Sequence, residues 1–459
     1  MKTKTKNLIL TSLFVIGLLT LSHQAYASTV TKTLYAWARD LAGNISAYLS
    51  DSVDITVGNV YYLSPTGSDT TGTGSINNPW FSLNKAWQYI SAGDTVYLRG
   101  GTYHFTESQY LTGKNGTDGN TIKIFNYPGE NPVLTYGATT LNELIYLSGG
   151  NYLYFKGLEI IGAPQRNGEY GYPGLRAYSV NNTTFELIKY HDSSAPMDII
   201  GDADDNLVLN CDFYNNADPY TAYGNADGLD IHFIPYGNTN TIRGSRAWNN
   251  SDDGFDLYEN DGLVIIDSCW SWHNGYIPET ETPAGDGCGF KLGRTTESHS
   301  DVILRVVANS VSSHNRNFGF TENNTLSPIA YYNNIAYHNN DVGFVVNPNG
   351  WGHDLATILK NNISYNNYDD AWIDGVNAIV DHNTFLSNGN SNSTYNVADN
   401  DFSSLVYSSM ASSRQSDGSL PNISFLHLVQ GSDLIDTGTN VGLPYYGDAP
   451  DLGAFETNY

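Results

Sequence analysis

The chain has 459 residues, of which 47 are acidic and 21 are basic, so its formal net charge is −26 at neutral pH. This charge argues against a nucleic-acid partner, because phosphate binding requires a basic surface. It also repels an acidic polymer unless a cation lies between the polymer and the protein. The three cysteines are too few to cross-link a chain of this length and their spacing fits no zinc motif, so we interpret them as buried small residues.

The beginning of the chain has the pattern of a secretory signal. Lysines at positions 2, 4 and 6 precede an uncharged apolar run over residues 8–21, and a small-x-small sequence ends at Ala27. This pattern predicts a signal peptide over residues 1–27 that is cleaved near Ala27, and therefore a secreted protein, extracellular or periplasmic. No other apolar stretch approaches the roughly 18 residues of a membrane span, so we expect no membrane association.

Two short regions precede the main part of the chain. Residues 28–58 alternate apolar and polar side chains but are too short to bury a core, and they resemble the last strands of an immunoglobulin-like domain. We treat them as an appended β segment of unassigned role. Residues 82–90 predict a short helix that caps one end of a larger structure, because four apolar side chains have helical spacing: Leu83, Ala86, Trp87 and Ile90.

Within residues 59–459, a short sequence phrase recurs in which a strand-like run ends with an asparagine. The aligned residues recur at intervals of 21 to 41 residues and are Asn216, Asn250, Asn274, Asn315, Asn339, Asn367 and Asn388. The shorter intervals suit one turn of a parallel β-helix, and the longer ones suit turns with inserted loops. Asparagine suits the corner of such a turn, because it tolerates left-handed backbone geometry and can hydrogen-bond along a stack.

In a second phrase, which occurs as DGLDIHF, DGFDLYE and CGFKLGR, a large apolar residue comes directly after a glycine. Side chains alternate along a strand, so one set points into the core: Leu229, Phe255, Phe290, Phe320 and Phe344, with Ile231, Leu257, Leu292 and Val346 two residues on. Asp230, Asp256 and Lys291 then lie on the outward face at equivalent positions of three neighbouring turns. Adjacent strands lie about 4.8 Å apart, so these three side chains become neighbours.

Acidic residues concentrate beside this outward face, in NNSDDGFDLYEN over residues 249–260. Aspartates one strand apart repel each other unless they are protonated or bridged. A calcium ion, which takes about six to eight oxygens, would bridge them. The candidate ligands are Asp252, Asp253 and Asp256 from one turn and Asp227, with Asp230 as a further candidate, from the turn before. The alternative is a solvated acidic loop, the usual state of a run of charge.

Lys291 is the lysine next to this cluster, in GDGCGFKLGR. One interpretation is an ordinary salt bridge to an aspartate. The other is a general base, which requires the pKa of the amine to fall from its usual value near 10.4. Metal charge and partial burial lower this pKa and the aspartates raise it, so a base at this position depends on the metal.

These phrases, together with the opening YYLSPTGSDTTGTGSINNPW and the ending GSDLIDTGTNVGLPYYGDAPDLGAFE, resemble the pectate lyases of polysaccharide lyase family nine over about residues 60–456. The resemblance implies an all-β protein, a right-handed parallel β-helix with a short N-terminal capping helix, secreted by a bacterium. It implies cleavage of polygalacturonate by calcium-assisted β-elimination, with Lys291 as the base. The calcium ligands that it implies are Asp227, Asp252, Asp253 and Asp256.

One departure from the family pattern is that Asp230 and His232 follow the ADG phrase, where the family usually has small residues. Asp230 is therefore a candidate for an added calcium ligand or for an altered substrate preference. Arg294 is a candidate for binding a uronate carboxylate, because the guanidinium group suits that geometry. We expect a monomer.

Two other functions fit the same residues. A glycoside hydrolase on a β-helix would use pairs of aspartates as acid and base, and fold does not separate it from a lyase. A noncatalytic carbohydrate-binding surface protein is the other alternative, because repetitive solenoids often only bind. The hydrolase would tolerate a chelator, and the binding protein would tolerate the loss of Lys291.

Overall fold

The computed structural model describes residues 28–36, 49–166, 170–346, 355–374, 377–386 and 395–459. The predicted signal peptide and Asn388 lie outside the described residues. Ser28–Ala36 and Leu49–Val57 pair as an antiparallel sheet of two strands. A relation of this hairpin to immunoglobulin domains stays a prediction. Within the described part of the chain, no helix is long and apolar enough to cross a membrane.

The rest of the described chain winds through three long parallel sheets. Successive strands pass from one sheet to the next, and each pairs in parallel with the strand one turn before it and one turn after it. This is the arrangement of a parallel β-helix. The first sheet comprises Val60–Leu63, Thr95–Leu98, Ile122–Asn126, Leu153–Lys156, Thr184–Glu186, Asn206–Leu209, Thr239–Arg243, Leu263–Asp267, Arg305–Ala308, Ile329–Tyr332, Ile358–Lys360 and Ile379–Asp381.

The other two sheets are described in the same way, in chain order. The second sheet comprises Gly101–Phe105, Pro132–Tyr136, Glu159–Ile161, Lys189–His191, Asp212–Tyr214, Arg246–Trp248, Trp270–Trp272, Val311–Ser313, Ile335–Tyr337 and Ile363–Tyr365. The third sheet comprises Gln109–Thr112, Ile145–Ser148, Leu175–Tyr178, Met197–Ile200, Leu229–His232, Phe255–Asp256, Phe290–Lys291, Phe320–Thr321, Val342–Val346 and Asp369–Ile373.

The core of the coil is built by the apolar residue that follows each glycine of the second phrase. Phe255, Phe290, Phe320 and Phe344 face one another on successive strands of the third sheet. Their rings stack with centroids 4.8–5.1 Å apart and are fully buried. The predicted inward set therefore fills the interior, which sends the intervening residues to the outside. The three cysteines are also buried, as predicted, and are unpaired.

A ladder of asparagines forms one corner of the coil. Asn250 donates through Nδ2 to Asn274 Oδ1 at 3.0 Å, and Asn274 donates to Asn315 Oδ1 at 2.9 Å. The same contacts continue through Asn339 to Asn367. The side-chain amides thus satisfy one another inside the protein, as the spacing predicts.

A helix at Leu83–Tyr89 lies at the beginning of the coil. The hydroxyl of Ser82 caps it by accepting a hydrogen bond from the amide of Lys85 at 3.0 Å. Leu83, Ala86 and Trp87 are buried against the core. The predicted capping helix is therefore present, with its bounds one residue inside the predicted range at each end.

The C-terminal segment, residues 395–459, packs on the outer face of the second sheet. Phe402, Met410 and Phe425 are buried there in one cluster with Trp270 and Trp272 of that sheet. The three short 3₁₀ turns of the described chain are Pro219–Thr221, Asp399–Asp401 and Tyr407–Ala411. The outer face of the third sheet, which carries the charged residues, is on a different side of the coil from this segment.

Candidate active site

One outward row of the third sheet carries the charged residues that the alternation singles out. Asp230, Asp256 and Lys291 occupy facing positions on three successive strands. The row continues to Asp198 and Arg176 on the two preceding strands. The winding of the coil therefore makes neighbours of an amine and carboxylates that lie far apart in the chain.

Two groups of carboxylates lie beside this lysine. Asp227, Asp253 and Asp256 each place an oxygen within 4.8 Å of the other two, and Asp252, Asp253 and Asp286 do the same. Asp253 belongs to both groups and is fully buried. The structure thus brings the four predicted calcium ligands together in two overlapping groups.

Backbone amides orient three of these carboxylates. The amide of Asp253 donates to Asp227 Oδ1 at 2.7 Å. The amide of Cys288 donates to Asp253 Oδ1, and the amide of Asp286 donates to Asp252 Oδ1. The chain therefore holds one oxygen of each carboxylate and leaves the other oxygen for a different partner.

Asp227, Asp252 and Asp256 are buried, and burial raises the pKa values of their carboxyl groups. For Asp227 and Asp252 burial is the larger cause, and neighbouring carboxylates add to it. Burial raises the pKa of Asp256 to about 6, although the charge of Lys291 opposes the rise. Asp253 Oδ2 and Asp256 Oδ1 are buried without a hydrogen-bond partner. A solvated acidic loop has none of these properties, so that interpretation of residues 249–260 is wrong.

The donor atoms of the cluster fit a hard divalent cation. All of them are carboxylate oxygens, which calcium prefers, and two ligands on opposite sides of a calcium ion lie roughly 4.6–5.2 Å apart. The 4.8 Å within which the oxygens of each group lie is compatible with this span. The residues that would hold the ion are Asp227, Asp252, Asp253 and Asp256, with Asp286 as a further donor.

The side chain of Lys291 enters the acidic cluster and is 14 % exposed. Its Nζ lies 2.8 Å from Asp253 Oδ2 and 3.3 Å from Asp256 Oδ2. The contact with Asp253 is an ion pair without hydrogen-bond geometry, since Asp253 Oδ2 accepts no hydrogen bond. Burial lowers the pKa of the amine, but the charges of the surrounding aspartates raise it by more. In this arrangement Lys291 is the protonated counter-charge of the cluster.

Asp286 is a neighbour of Lys291 that the sequence reasoning did not single out. Its Oδ2 accepts a hydrogen bond from Nζ at 3.2 Å, and its carboxylate is largely exposed. The residue stands five positions before Lys291, inside the same GDGCGFKLGR phrase. It lies on an inserted loop, so the strand alternation that located Lys291 does not predict which way Asp286 points.

Two further predicted residues lie beside the cluster. Asp230 is buried, with Oδ2 3.5 Å from His232 Nε2, and it belongs to neither carboxylate group. The side chain of Arg294 is 48 % exposed; it pairs with Glu259 and lies over the ring of Tyr258, 5.0 Å from the centroid. The contact of either residue with a substrate stays a prediction.

Known proteins resemble this chain in sequence and in fold. Residues 61–351 match the family described as Pel9A-like, right handed beta helix region. The chain belongs to the Pel9A-like β-helix family. Pectate lyase L of Dickeya chrysanthemi is 32 % identical over 445 residues, and the match covers 91 % of this chain and 96 % of that protein. Pectate lyase PEL9 of Emericella nidulans is 29 % identical and covers 81 % of this chain and 93 % of its own.

Solved structures agree with this membership of the Pel9A-like family. The crystal structure of pectate lyase Pel9A matches with a TM-score of 0.72 and 29 % identity, covering 88 % of this chain and 98 % of that one. A rhamnogalacturonan lyase matches with a TM-score of 0.70 and 28 % identity, covering 81 % and 97 %. The right-handed parallel β-helix, the family resemblance and the enzyme class, a polysaccharide lyase, are thereby confirmed. A polysaccharide lyase is neither of the two alternatives, the hydrolase and the noncatalytic binding protein.

Proposed function

We propose that this member of the Pel9A-like family is a calcium-dependent pectate lyase that cleaves polygalacturonate by β-elimination. The relatives named pectate lyase support the substrate. The observation that carries the mechanism is the amine of Lys291, whose Nζ lies 2.8 Å from Asp253 Oδ2 in a buried cluster of aspartates. The buried carboxylate oxygens without hydrogen-bond partners support the calcium site.

In this reaction Lys291 acts on the proton at C5 of a galacturonate unit. Nζ accepts that proton in its neutral, deprotonated form, the electrons of the C5–H bond form the C4–C5 double bond, and the glycosidic oxygen leaves C4 with the electrons of its own bond. The leaving oxygen takes a proton from solvent, so the product ends in an unsaturated uronide and no water is added. When bound, calcium supplies positive charge that joins the acidic polymer to the acidic protein and stabilises charge on the C6 carboxylate.

The proposed base and the proposed metal site are electrostatically linked. The charges that raise the pKa of Lys291 belong to Asp253, Asp256, Asp227 and Asp252, which are the four residues assigned to the ion. The amine can accept a proton at neutral pH when those charges are compensated, because the cause of the raised pKa is then removed. The same four carboxylates therefore bind the calcium ion and set the pKa of the Lys291 amine.

We infer that the protein is exported, that residues 1–27 are removed near Ala27, and that residues 59–459 form the catalytic unit. The basic and apolar N-terminal pattern supports the first inference. N-terminal sequencing of protein recovered from the culture medium tests the cleavage position. Lyase activity of residues 59–459 expressed alone tests whether the appended segment, residues 28–58, is dispensable.

The test of the function is incubation of the purified protein with polygalacturonate while the ultraviolet absorbance of the unsaturated product is followed. We expect product to accumulate, to stop when a chelator is added, and to resume when calcium is restored. New reducing ends without that absorbance, formed at an equal rate in chelator, would overturn the proposal in favour of hydrolysis.

Rhamnogalacturonan is a second candidate substrate, because the matched rhamnogalacturonan lyase has a TM-score close to that of Pel9A. The same absorbance assay with both polymers separates the two. Faster product formation from rhamnogalacturonan than from polygalacturonate would replace the proposed substrate while leaving the elimination chemistry in place.

A further inference from the structure

Exposed tyrosines lie on the outer face of the third sheet, on the turns that precede the acidic cluster. Tyr110 is 56 % exposed and Tyr178 is 43 % exposed, and Tyr146 between them is half-buried. The rings of Tyr110 and Tyr146 meet edge to face, with centroids 6.1 Å apart. Within the described residues, none of the three hydroxyls donates a hydrogen bond to the protein. Exposed aromatic side chains grouped on one face are typical of a ligand-binding surface.

This surface is continuous with the proposed active site. Tyr110 faces Tyr146, Tyr146 faces Arg176, and from there the row of facing residues leads to Lys291. Tyr178 lies two residues after Arg176 on the same strand and also points outward. The strands of Tyr178, Tyr146 and Tyr110 are four, five and six strands before that of Lys291. With strands about 4.8 Å apart, the three rings lie roughly 19–29 Å from the amine.

Two acidic side chains next to the tyrosines are neutralised by an arginine. Asp198 and Glu143 are buried, and both pair with the guanidinium of Arg176, at 2.8 Å and 3.0 Å. Within this part of the row of facing residues the carboxylates are therefore paired with a guanidinium, and the exposed Glu107 and Asp202 lie beyond the strand ends that flank the row. A polymer that carries one negative charge per sugar therefore meets less repulsion along this row than it would from unpaired carboxylates.

We propose that Tyr110, Tyr146 and Tyr178 form a track that binds the galacturonan chain four to six strand spacings away from the bond that is cleaved. One strand spacing is comparable with the length of one pyranose unit, so a chain lying along the row meets a new strand with each sugar. Sugar rings pack their C–H faces on the tyrosines, whose hydroxyls hydrogen-bond the sugar oxygens. This inference rests on the proposed function, because it assigns the track to the same polymer.

The test compares the triple variant Tyr110→Ala, Tyr146→Ala, Tyr178→Ala with the wild type on galacturonate oligomers from the trimer to the octamer. Tyr446→Ala is the control, because Tyr446 is 59 % exposed, close to the 56 % of Tyr110, but belongs to the C-terminal segment. For the wild type and the control we expect kcat/KM to rise with chain length up to the octamer. The triple variant should match them on the trimer and lose roughly threefold to tenfold per ring on the octamer.

Equal kcat/KM of the triple variant and the control on the octamer would overturn the track. An equal loss on the trimer and the octamer would also overturn it, since the tyrosines would then act on the fold or the chemistry. Binding is measured separately, by retardation of each protein in gels that contain polygalacturonate, where we expect the triple variant to be retarded less. If the wild type makes no unsaturated product from any oligomer, the proposed function fails, and equal retardation in the gels would reject the track independently.

Discussion

The protonation of a single side chain, Lys291, depends on the balance of charges that touch it. Burial lowers the pKa of its amine and the carboxylates raise it by more. Asp253 contributes most to that rise and is also the residue common to both carboxylate groups. A substitution of Lys291 removes the amine and leaves the carboxylates in place, and a substitution of Asp253 removes a carboxylate and leaves the amine. The two parts of the site can therefore be measured separately.

Replacing Lys291 by alanine removes the proposed base and leaves every carboxylate in place. We expect turnover of polygalacturonate to fall by roughly 10²–10⁴-fold, the usual contribution of a general base, while calcium still binds. Rates of unsaturated-product formation and calorimetric titration with calcium check the two parts. Lys189→Ala is the control, because Lys189 lies on the second sheet and is half exposed. A Lys291→Ala enzyme that kept more than a tenth of the wild-type kcat would contradict the base assignment.

Replacing Asp253 by asparagine keeps the volume of the side chain and removes the shared carboxylate. We expect the Kd for calcium to rise by roughly 100-fold or more, since the charge and number of ligands set calcium affinity and even indirect changes at metal sites cost roughly 10–100-fold. Asp230→Asn is the matched control, because Asp230 is a buried aspartate of the same row that belongs to neither group. Its substitution removes attraction at longer range and should weaken binding less. Equal losses in the two variants, measured by calorimetry, would make Asp230 a ligand.

At the scale of strands and turns, the features that repeat were predictable from the sequence. The phenylalanine stack and the asparagine ladder follow from phrases that recur once per turn of the coil. The capping helix follows from helical spacing over a few residues, and both kinds of spacing fix which residues share a face. Features that occur once were not predictable. Arg305 takes an inward position in the first sheet, where alternation predicts an apolar residue, and its buried guanidinium donates to the backbone carbonyls of Asn260, Gly262 and Leu292. Asp286 was missed for a related reason, since the path of an inserted loop follows no repeat.

The phenylalanine stack carries a stability prediction at this scale. Phe290→Ala opens a cavity between the rings of Phe255 and Phe320, and we expect it to lower the free energy of unfolding by about 3–5 kcal/mol. Chemical denaturation followed by circular dichroism measures the change. Phe233→Ala is the control, because that ring is 52 % exposed and its loss should cost about 0.5 kcal/mol or less. Equal costs in the two variants would show that the stack does not bear on stability.

At the scale of the whole molecule, the outer faces of the second and third sheets have different surroundings. The C-terminal segment covers the second sheet, and the outer face of the third sheet holds the proposed site and the tyrosine track. No repeated phrase predicted this cover, because the segment is anchored by contacts that each occur once. Arg246 Nε and Arg414 Nη2 both pair with Asp212 of the second sheet, at 2.8 Å and 2.7 Å, and Arg246 also donates to the carbonyl of Met410 at 2.7 Å. These buried contacts join the segment to the coil.

Asp212→Asn should therefore loosen the C-terminal segment from the coil. Burial raises the pKa of Asp212, but Arg246 and Arg414 lower it by more, so its pKa in the folded protein lies below the unfolded value of about 3.9. A carboxyl group with a lowered folded pKa stabilises the protein above the unfolded pKa, and this contribution is lost as the pH falls through the folded pKa.

Urea unfolding should give Asp212→Asn a free energy of unfolding about 3–5 kcal/mol below that of the wild type at pH 7, because two buried guanidinium groups lose their partner. This gap in unfolding free energy should narrow as the pH falls below about 4. Arg243→Ala, which breaks an exposed pair with Asp267, should cost about 0–1 kcal/mol. A gap that stayed constant from pH 7 to pH 3 would mean that the charge of Asp212 does not hold the segment in place.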